Sequence, residues 1–275
     1  MKRSIGFAML AGAAIAATMA AAPALAQEVT FAYRFEPGST ERYSVKLNQE
    51  VDMGGMAVSN IADMAVTVKC VSAKDGKFAM EMRFDKVDLS MTMMGNTSSS
   101  PIGEQLSGQT IGFTTDASGE VTDIAPVGAF EAWSSAQQLV KPVLEGWFPH
   151  LPNKAVAVGG TWEKIGDKEI ESGGTETTTN AKFKFREIKK DKGRDVAIVD
   201  QVLDTTIGGN SSTPMGVYSV AGVGKGKGEF WFEPAKARVT KVKGKVDMTM
   251  DMTPQSPGEP LKTVVANNVE RTLLE

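Results

Sequence analysis

The sequence predicts a mainly β protein in which two related halves of long, strongly bent antiparallel strands form a half-barrel or clam-like sheet around a central helix. Apolar and polar residues alternate over runs of about ten residues, as in half-buried strands. Asp-Gly and Gly-Gly pairs separate these runs, and one segment with helical spacing divides them. We expect a leader at 1–26, a first β half at 27–125, a helix with a proline-rich connector at 126–160, and a second β half at 161–275.

The first 26 residues have the pattern of a secretory signal peptide. Lys2 and Arg3 precede an uncharged apolar run, and Ala24-Leu25-Ala26 matches a small-x-small cleavage site. We therefore expect cleavage after Ala26, a periplasmic or secreted location, and no membrane span in the mature chain. Removing the leader changes the formal net charge from −3 to −5. This mild acidity argues against nucleic acid as a partner.

The first half begins with strands that have clear turn signals. Apolar residues alternate with polar ones from Tyr43 to Met53, and Asp75-Gly76 is typical of a tight hairpin turn. In the next strand the apolar phase slips between Phe84 and Val87, which predicts a β-bulge near Asp85. Strands this long favour a strongly bent sheet, and a bulge is the usual way to bend one.

The middle segment predicts a helix from Pro126 to Trp147 that packs on the concave face of the sheet and closes it. Its apolar residues recur at steps of three and four, and Phe148-Pro149 ends the pattern. Pro142 is expected to kink the helix or to start a second one, because it lacks an N–H and clashes with the preceding turn. The residues of the predicted buried face are Ala129, Trp133, Ala136, Val140, Val143 and Trp147.

The second half repeats the layout of the first. The hairpin within Ile111–Ile124 resembles the one within Phe230–Val242, and each follows a Ser/Thr-rich loop and several long strands. We therefore predict an internal duplication. The glycine run Gly222–Gly228 fits no phosphate-binding loop, because strands rather than a helix follow it. It predicts a strand that another backbone or side chain approaches closely.

The sequence offers no catalytic set. His150 is the only histidine and stands between two prolines, no G-x-S-x-G motif is present, and the carboxylates lie on outward strand faces. Cys70 lies on an apolar strand face and is interpreted as a buried hydrophobe, with a reactive thiol as the alternative. We therefore expect no enzymatic activity, no cofactor and no metal site.

Methionine residues stand at steps of two on several strands, so that their thioethers share one face. They have three interpretations: core packing, an adaptable lining for a lipid or hydrophobic peptide, or Cu(I) binding. Copper binding is the weakest of the three, because no His or Cys that could complete the ligand set stands near these methionines in the sequence. The residues of the candidate hydrophobic site are Met80, Met82, Phe84, Trp133, Val246, Met248, Met250 and Met252.

Phe148-Pro149-x-Leu151-Pro152, followed by Val156-x-Val158-Gly159-x-x-Trp162, resembles an uncharacterised family of secreted bacterial proteins with an FPxLP…VxxGxxW segment. The layout is also similar to the half-barrel and helix of periplasmic lipoprotein carriers. That second resemblance implies a hydrophobic concave face closed by a helix.

These observations predict an exported, non-enzymatic protein that binds or carries a hydrophobic ligand in the cell envelope. The alternative is an envelope protein with a protein partner and no small ligand. Copper binding through methionine is the third hypothesis.

Overall fold

A computed structural model describes residues 27–166, 168–170, 174–213, 216–255 and 259–274, and the predicted leader at 1–26 lies outside these ranges. The mainly β prediction is confirmed for the described chain. The short strands are β1 (Glu28–Phe31), β5 (Asn96–Ser99), β6 (Thr110–Asp116), β7 (Val121–Pro126), β8 (Lys154–Ala157), β9 (Thr161–Lys164) and β10 (Glu169–Ile170). The long strands are β2 (Thr40–Met53), β3 (Met56–Lys74), β4 (Lys77–Met93), β11 (Thr175–Asp191), β12 (Arg194–Thr213), β13 (Gly216–Glu233), β14 (Arg238–Pro254) and β15 (Leu261–Leu274). The helices are α1 (Pro101–Leu106) and α2 (Trp133–Glu145).

Thirteen of the strands form one antiparallel sheet in the order β10-β11-β12-β13-β14-β15-β2-β3-β4-β6-β7, with β5 on β4 and β9 on β11. Strands β1 and β8 pair separately. Within the large sheet β15 pairs with β2 along twelve residue positions, from Thr263 opposite Met53 to Leu274 opposite Arg42. The two predicted halves are thus joined edge to edge. Their domain boundaries and the internal duplication stay predictions.

Two local features predicted from sequence are confirmed. Asp75 and Gly76 both have positive φ, 52° and 75°, as the tight hairpin between β3 and β4 requires. The pairing of β3 with β4 slips at Asp85: Ala65 faces Lys86, whereas Val66 faces Phe84. Asp85 is therefore the extra residue of the bulge.

The core lies at one end of the long strands, which we call the core end; the other end is the open end. Residues directly opposite in the register share one side of the sheet, and we call the side that carries the core the core side. Phe31 of β1 lies on it, with ring centroids 5.1 Å from both Trp162 and Phe185 and 5.2 Å from Phe232. Each fully buried aromatic ring contributes about 2–3 kcal/mol through burial.

The cover over the core end continues into the connector. Tyr33 packs edge-on against Phe148 at 5.3 Å, and its hydroxyl donates a 3.0 Å hydrogen bond to the Pro149 carbonyl. Leu151 is fully buried, and its N–H donates to the Ser118 carbonyl. The FPxLP segment is thus part of the core cover.

The predicted central helix was wrong in length and in place. In the described residues the only helices are two short ones, and α2 has 13 residues instead of spanning Pro126–Trp147. Strand β7 runs through Pro126, and Gly128 turns the chain at a φ of 90° before α2 begins. Pro142 stays inside α2. Within the described ranges no substantial helix separates the two β halves, which meet directly through β15 and β2.

The buried face predicted for the helix is confirmed at Ala136, Val140 and Trp147 and differs at other positions. Ala136, Val140 and Leu144 are buried, whereas Val143 is only partly buried and Ala129 is exposed ahead of the helix. The actual face therefore follows a spacing of four along the helix. Among the described residues, no helix has both the length and the apolar character needed to cross a membrane.

Candidate hydrophobic site

The predicted site residues do not meet in one place. Met80, Met82 and Phe84 lie on the core side at the core end, with exposed fractions of 3%, 0% and 1%. They pack within the aromatic core. Trp133 is the first residue of α2 and is partly buried, with its ring centroid 6.2 Å from that of Phe130. These four side chains belong to the interior and its edge.

The other four predicted residues lie at the open end. Val246, Met248, Met250 and Met252 are only partly buried on the core side of β14. Strands β15, β2 and β3 separate β14 from β4, so the two groups lie on strands about 19 Å apart. The candidate site therefore divides into a packed part and an open part.

The open part continues across neighbouring strands onto residues that the sequence analysis did not select. Met248 faces Val265, which faces Val51, which in turn faces Val58 and then Met93. Met91 and Met93 have exposed fractions of 40% and 42%. We call this surface the methionine face. It comprises Val51, Met53, Val58, Met91, Met93, Val246, Met248, Met250, Met252, Thr263 and Val265.

The alternation of apolar and polar residues could have identified part of this surface, since Val51 and Met53 continue the apolar pattern of Tyr43 and Val45. The sequence did not show that β15 pairs with β2. Without that pairing, β14 and β2 belong to separate predicted halves. Their apolar faces then cannot be joined into one surface.

A row of glycines in β13 shapes the methionine face. A Cβ at Gly222 would lie 2.7 Å from the Met250 Cγ, and one at Gly224 would lie 2.7 Å from the Met248 Cγ. A Cβ at Gly226 would lie 2.9 Å from the Val246 Cγ2. The side chains of β14 therefore lie across β13, in space that any other residue would fill. The predicted close approach at this glycine run is confirmed.

Three amide side chains border the methionine face toward the core. Asn60, Gln49 and Asn267 stand in register on β3, β2 and β15. The Asn60 Nδ2 donates a 3.0 Å hydrogen bond to the Gln49 Oε1. All three are partly buried. We call them the amide row.

The opposite side of the sheet is charged. It has an open groove of about 700 Å³ that crosses six strands from β12 to β3. Lys46 pairs with Asp63 at 3.6 Å and Lys243 with Glu270 at 3.2 Å. The groove combines these ion pairs with apolar side chains such as Leu47, Ile61 and Val269, so it differs in chemistry from the uncharged methionine face.

A buried arginine holds the end of α2 on the sheet. Arg271 lies on the core side of β15, and its Nη1 donates a hydrogen bond to the Trp147 carbonyl. The guanidinium carbon stands 4.6 Å from the centroid of the Trp147 ring and 5.2 Å from that of Tyr43. Burial lowers the pKa of Arg271 from its ordinary value. The sequence analysis gave no signal for this cation, whose Nη1 is bound within the fold and whose Nε is buried without a hydrogen-bond partner among the described residues.

The residues considered for catalysis make contacts within the fold. His150 is half-buried; burial first, and the charge of Lys164 second, lower its pKa. Its carbonyl accepts a 2.9 Å hydrogen bond from the Trp162 Nε1. Cys70 is buried, and burial raises the pKa of its thiol. Within the described ranges, no three His, Cys, Asp or Glu side chains cluster as metal ligands would. The absence of enzymatic activity stays a prediction.

No protein-family model and no curated protein matches the sequence, so the predicted kinship with a secreted bacterial family gains no support. Among solved structures, the chain is similar to lipovitellin in a structure concerned with lipid–protein interactions. The match has a TM-score of 0.53 and 15% sequence identity, and covers 88% of this chain. The chain spans 26% of the length of the lipovitellin chain. At this identity the likeness shows the fold alone.

Proposed function

We propose that this protein is exported and binds a hydrophobic ligand, without catalysis, on the methionine face. The observation that carries the proposal is an apolar sheet surface that remains partly exposed at the open end. At the core end, β1, β8 and the connector cover the same side of the sheet. At the open end, Met91 and Met93 are exposed and Met248, Met250 and Met252 are only partly buried.

The chemistry of this surface suits an apolar ligand of variable shape. Methionine has a flexible, polarizable side chain that adapts to different partners. Contiguous exposed apolar surface also marks interaction sites in soluble proteins. A ligand that covers these thioethers gains the free energy of removing both apolar surfaces from water.

The structural comparison supports the proposal without deciding it. The lipovitellin structure concerns lipid–protein interactions, and its fold is similar to this one over most of this chain. The leader motif supports export to the cell envelope. There the ligand is a lipid or the apolar segment of a peptide.

A neutral fluorescent probe tests the proposal. The protein purified after export should take up Nile red, and native mass spectrometry should detect co-purified apolar ligand. Met250→Lys should weaken Nile red binding tenfold or more, because it places a charge within the apolar surface. Thr249→Lys is the matched control, since Thr249 is the chain neighbour on the charged side and should leave the affinity unchanged.

Two outcomes would overturn the proposal. One is a wild-type protein that neither carries ligand nor binds Nile red. The other is equal weakening by Met250→Lys and Thr249→Lys, which would place the probe away from the methionine face. A lipid-free dimer that Met250→Lys dissociates would instead assign the face to a protein partner.

A further inference from the structure

The core side of the sheet lacks charge from the amide row to the open end. Along the described residues of β12, β13, β14, β15, β2, β3 and β4, this part of the core side has no Asp, Glu, Lys, Arg or His. Its side chains are thioethers, aliphatic groups, hydroxyls and amides. The nearest cation on this side of β15, Arg271, lies four residues further toward the core, where its Nη1 donates to the Trp147 carbonyl and its Nε is buried without a hydrogen-bond partner in the part of the chain that the structure describes.

The charges of the same strands lie on the opposite side. Asp247 and Asp251 alternate with Met248 and Met250 on β14, and Asp52 stands beside Met53 on β2. The methionine face is therefore uncharged although the strands that form it are rich in charge. An anionic group placed on it would lose hydration without gaining a counter-charge, which disfavours binding of an anionic lipid.

The amide row supplies neutral hydrogen-bonding groups at the inner border of this surface. A side-chain amide both donates and accepts hydrogen bonds, which matches a hydroxyl or an ester carbonyl. The hydrogen bond between Asn60 and Gln49 uses one donor of the Asn60 amide and one acceptor of the Gln49 amide. Within the described chain the Asn267 side-chain amide has no hydrogen-bond partner, so it is available to a ligand.

The dimensions fit an elongated ligand. On β14 the methionine face runs from Val246 to Met252, about 20 Å along the strand. The row of glycines beside it lets Met248 and Met250 lie flat across β13. An acyl chain laid along this strand would have its polar end beside Asn267, which faces Val246.

We propose that the ligand is a neutral lipid, bound with its hydroxyl or ester carbonyl on the amide row and its acyl chain along Met248 and Met250. This inference rests on the proposed function and narrows it to lipids without a phosphate or carboxylate. Dioleoylglycerol is the probe for this class. Oleate and dioleoyl phosphatidate carry similar chains with a charged end.

Competition against bound Nile red tests the charge selectivity. Dioleoylglycerol should displace the dye at least tenfold more strongly than oleate or phosphatidate presented in the same neutral detergent. Gln49→Met and Asn267→Leu should each weaken dioleoylglycerol three- to tenfold, and by a larger factor than they weaken Nile red, which has no hydroxyl or ester group. Asn268→Leu is the matched control on the charged side. Urea unfolding of each variant identifies any that fail to fold.

The outcomes separate the two proposals. Nile red binding with equal or stronger displacement by oleate or phosphatidate overturns the neutral-lipid inference and leaves the hydrophobic-ligand proposal standing. So does dioleoylglycerol binding that neither amide-row variant weakens. A wild-type protein that binds no Nile red overturns both.

Discussion

The core end and the open end of the sheet use the same strands and the same side, yet they differ in composition and cover. On β4, Met80 and Met82 are buried at one end, while Met91 and Met93 are exposed at the other. The core end is rich in aromatic rings that pack edge-on against β1 and the connector. The open end has methionine, valine, threonine and glycine. Alternation therefore predicts which side a residue faces, whereas cover depends on what other segments pack there.

The difference separates stability from function. Aromatic rings at the core end meet partners of fixed geometry and contribute to the free energy of unfolding. At the open end, Met248 and Met250 lie against the glycines of β13, and the Met252 sulfur accepts a hydrogen bond from the Thr263 hydroxyl. We therefore expect substitutions at the core end to act on stability and substitutions on the methionine face to act on ligand binding.

The largest expected effect comes from Phe185→Ala at the core end. Phe185 is fully buried and contacts Phe31 at 5.1 Å between ring centroids, so truncation should lower the free energy of unfolding by about 3–5 kcal/mol. Met250→Ala, on the methionine face, should cost about 1 kcal/mol because its side chain is already partly hydrated. Urea unfolding measures both. Equal losses would remove the distinction between the two ends.

The next largest effect is expected from a substitution in the glycine row of β13. Gly224→Ala would put a Cβ within 2.7 Å of the Met248 Cγ and 3.3 Å of the Thr205 Cβ, so Met248 must move. We expect a loss of about 1–3 kcal/mol from overpacking, together with weaker Nile red binding. Gly208→Ala on neighbouring β12 is the control, since a Cβ there meets nothing within 4 Å. A Gly224 variant as stable as the Gly208 variant would mean that the row does not position the methionines.

Much of the fold could be predicted from local residues. Asp75-Gly76 specified a hairpin, and the slip between Phe84 and Val87 specified the bulge at Asp85, because both signals depend on nearest neighbours in the chain. The helix was overestimated because Ala129 and Trp133 fit a helical spacing. The chain between them is instead a turn after β7, at a position fixed by its pairing with β6.

The candidate site was only half predictable for the same reason. The spacing of two residues between Met248, Met250 and Met252 predicted an apolar strand face. Their neighbours Val265 and Val51 could be identified only after the β15–β2 pairing was known, and that pairing joins the two ends of the described chain. The burial of Met80 and Met82 depends on cover from β1 and the connector, which no local pattern encodes.

The smallest effect concerns the turn that holds the cover on the core end. Asp116, the last residue of β6, is partly buried. Burial alone would raise its pKa, but hydrogen bonds to the carboxylate from the Ser118 hydroxyl and from the N–H groups of Ser118 and Glu120 outweigh burial and lower it. The carboxylate therefore contributes stability above its unfolded pKa of about 3.9, and this contribution is lost as pH falls through the lower folded pKa.

Asp116→Asn should accordingly remove about 1 kcal/mol or less at pH 7 and should reduce the loss of stability between neutral and acid pH. The turn secures Leu151 through the Ser118 carbonyl, so the change acts on the cover of the core end. Nile red binding at the open end should stay as in wild type at every pH at which the protein remains folded. Urea unfolding at pH 7 and pH 3.5, with dye binding measured in parallel, checks both. Dye binding that falls with the Asp116 titration would show that the two ends are coupled, contrary to the separation drawn from their cover and composition.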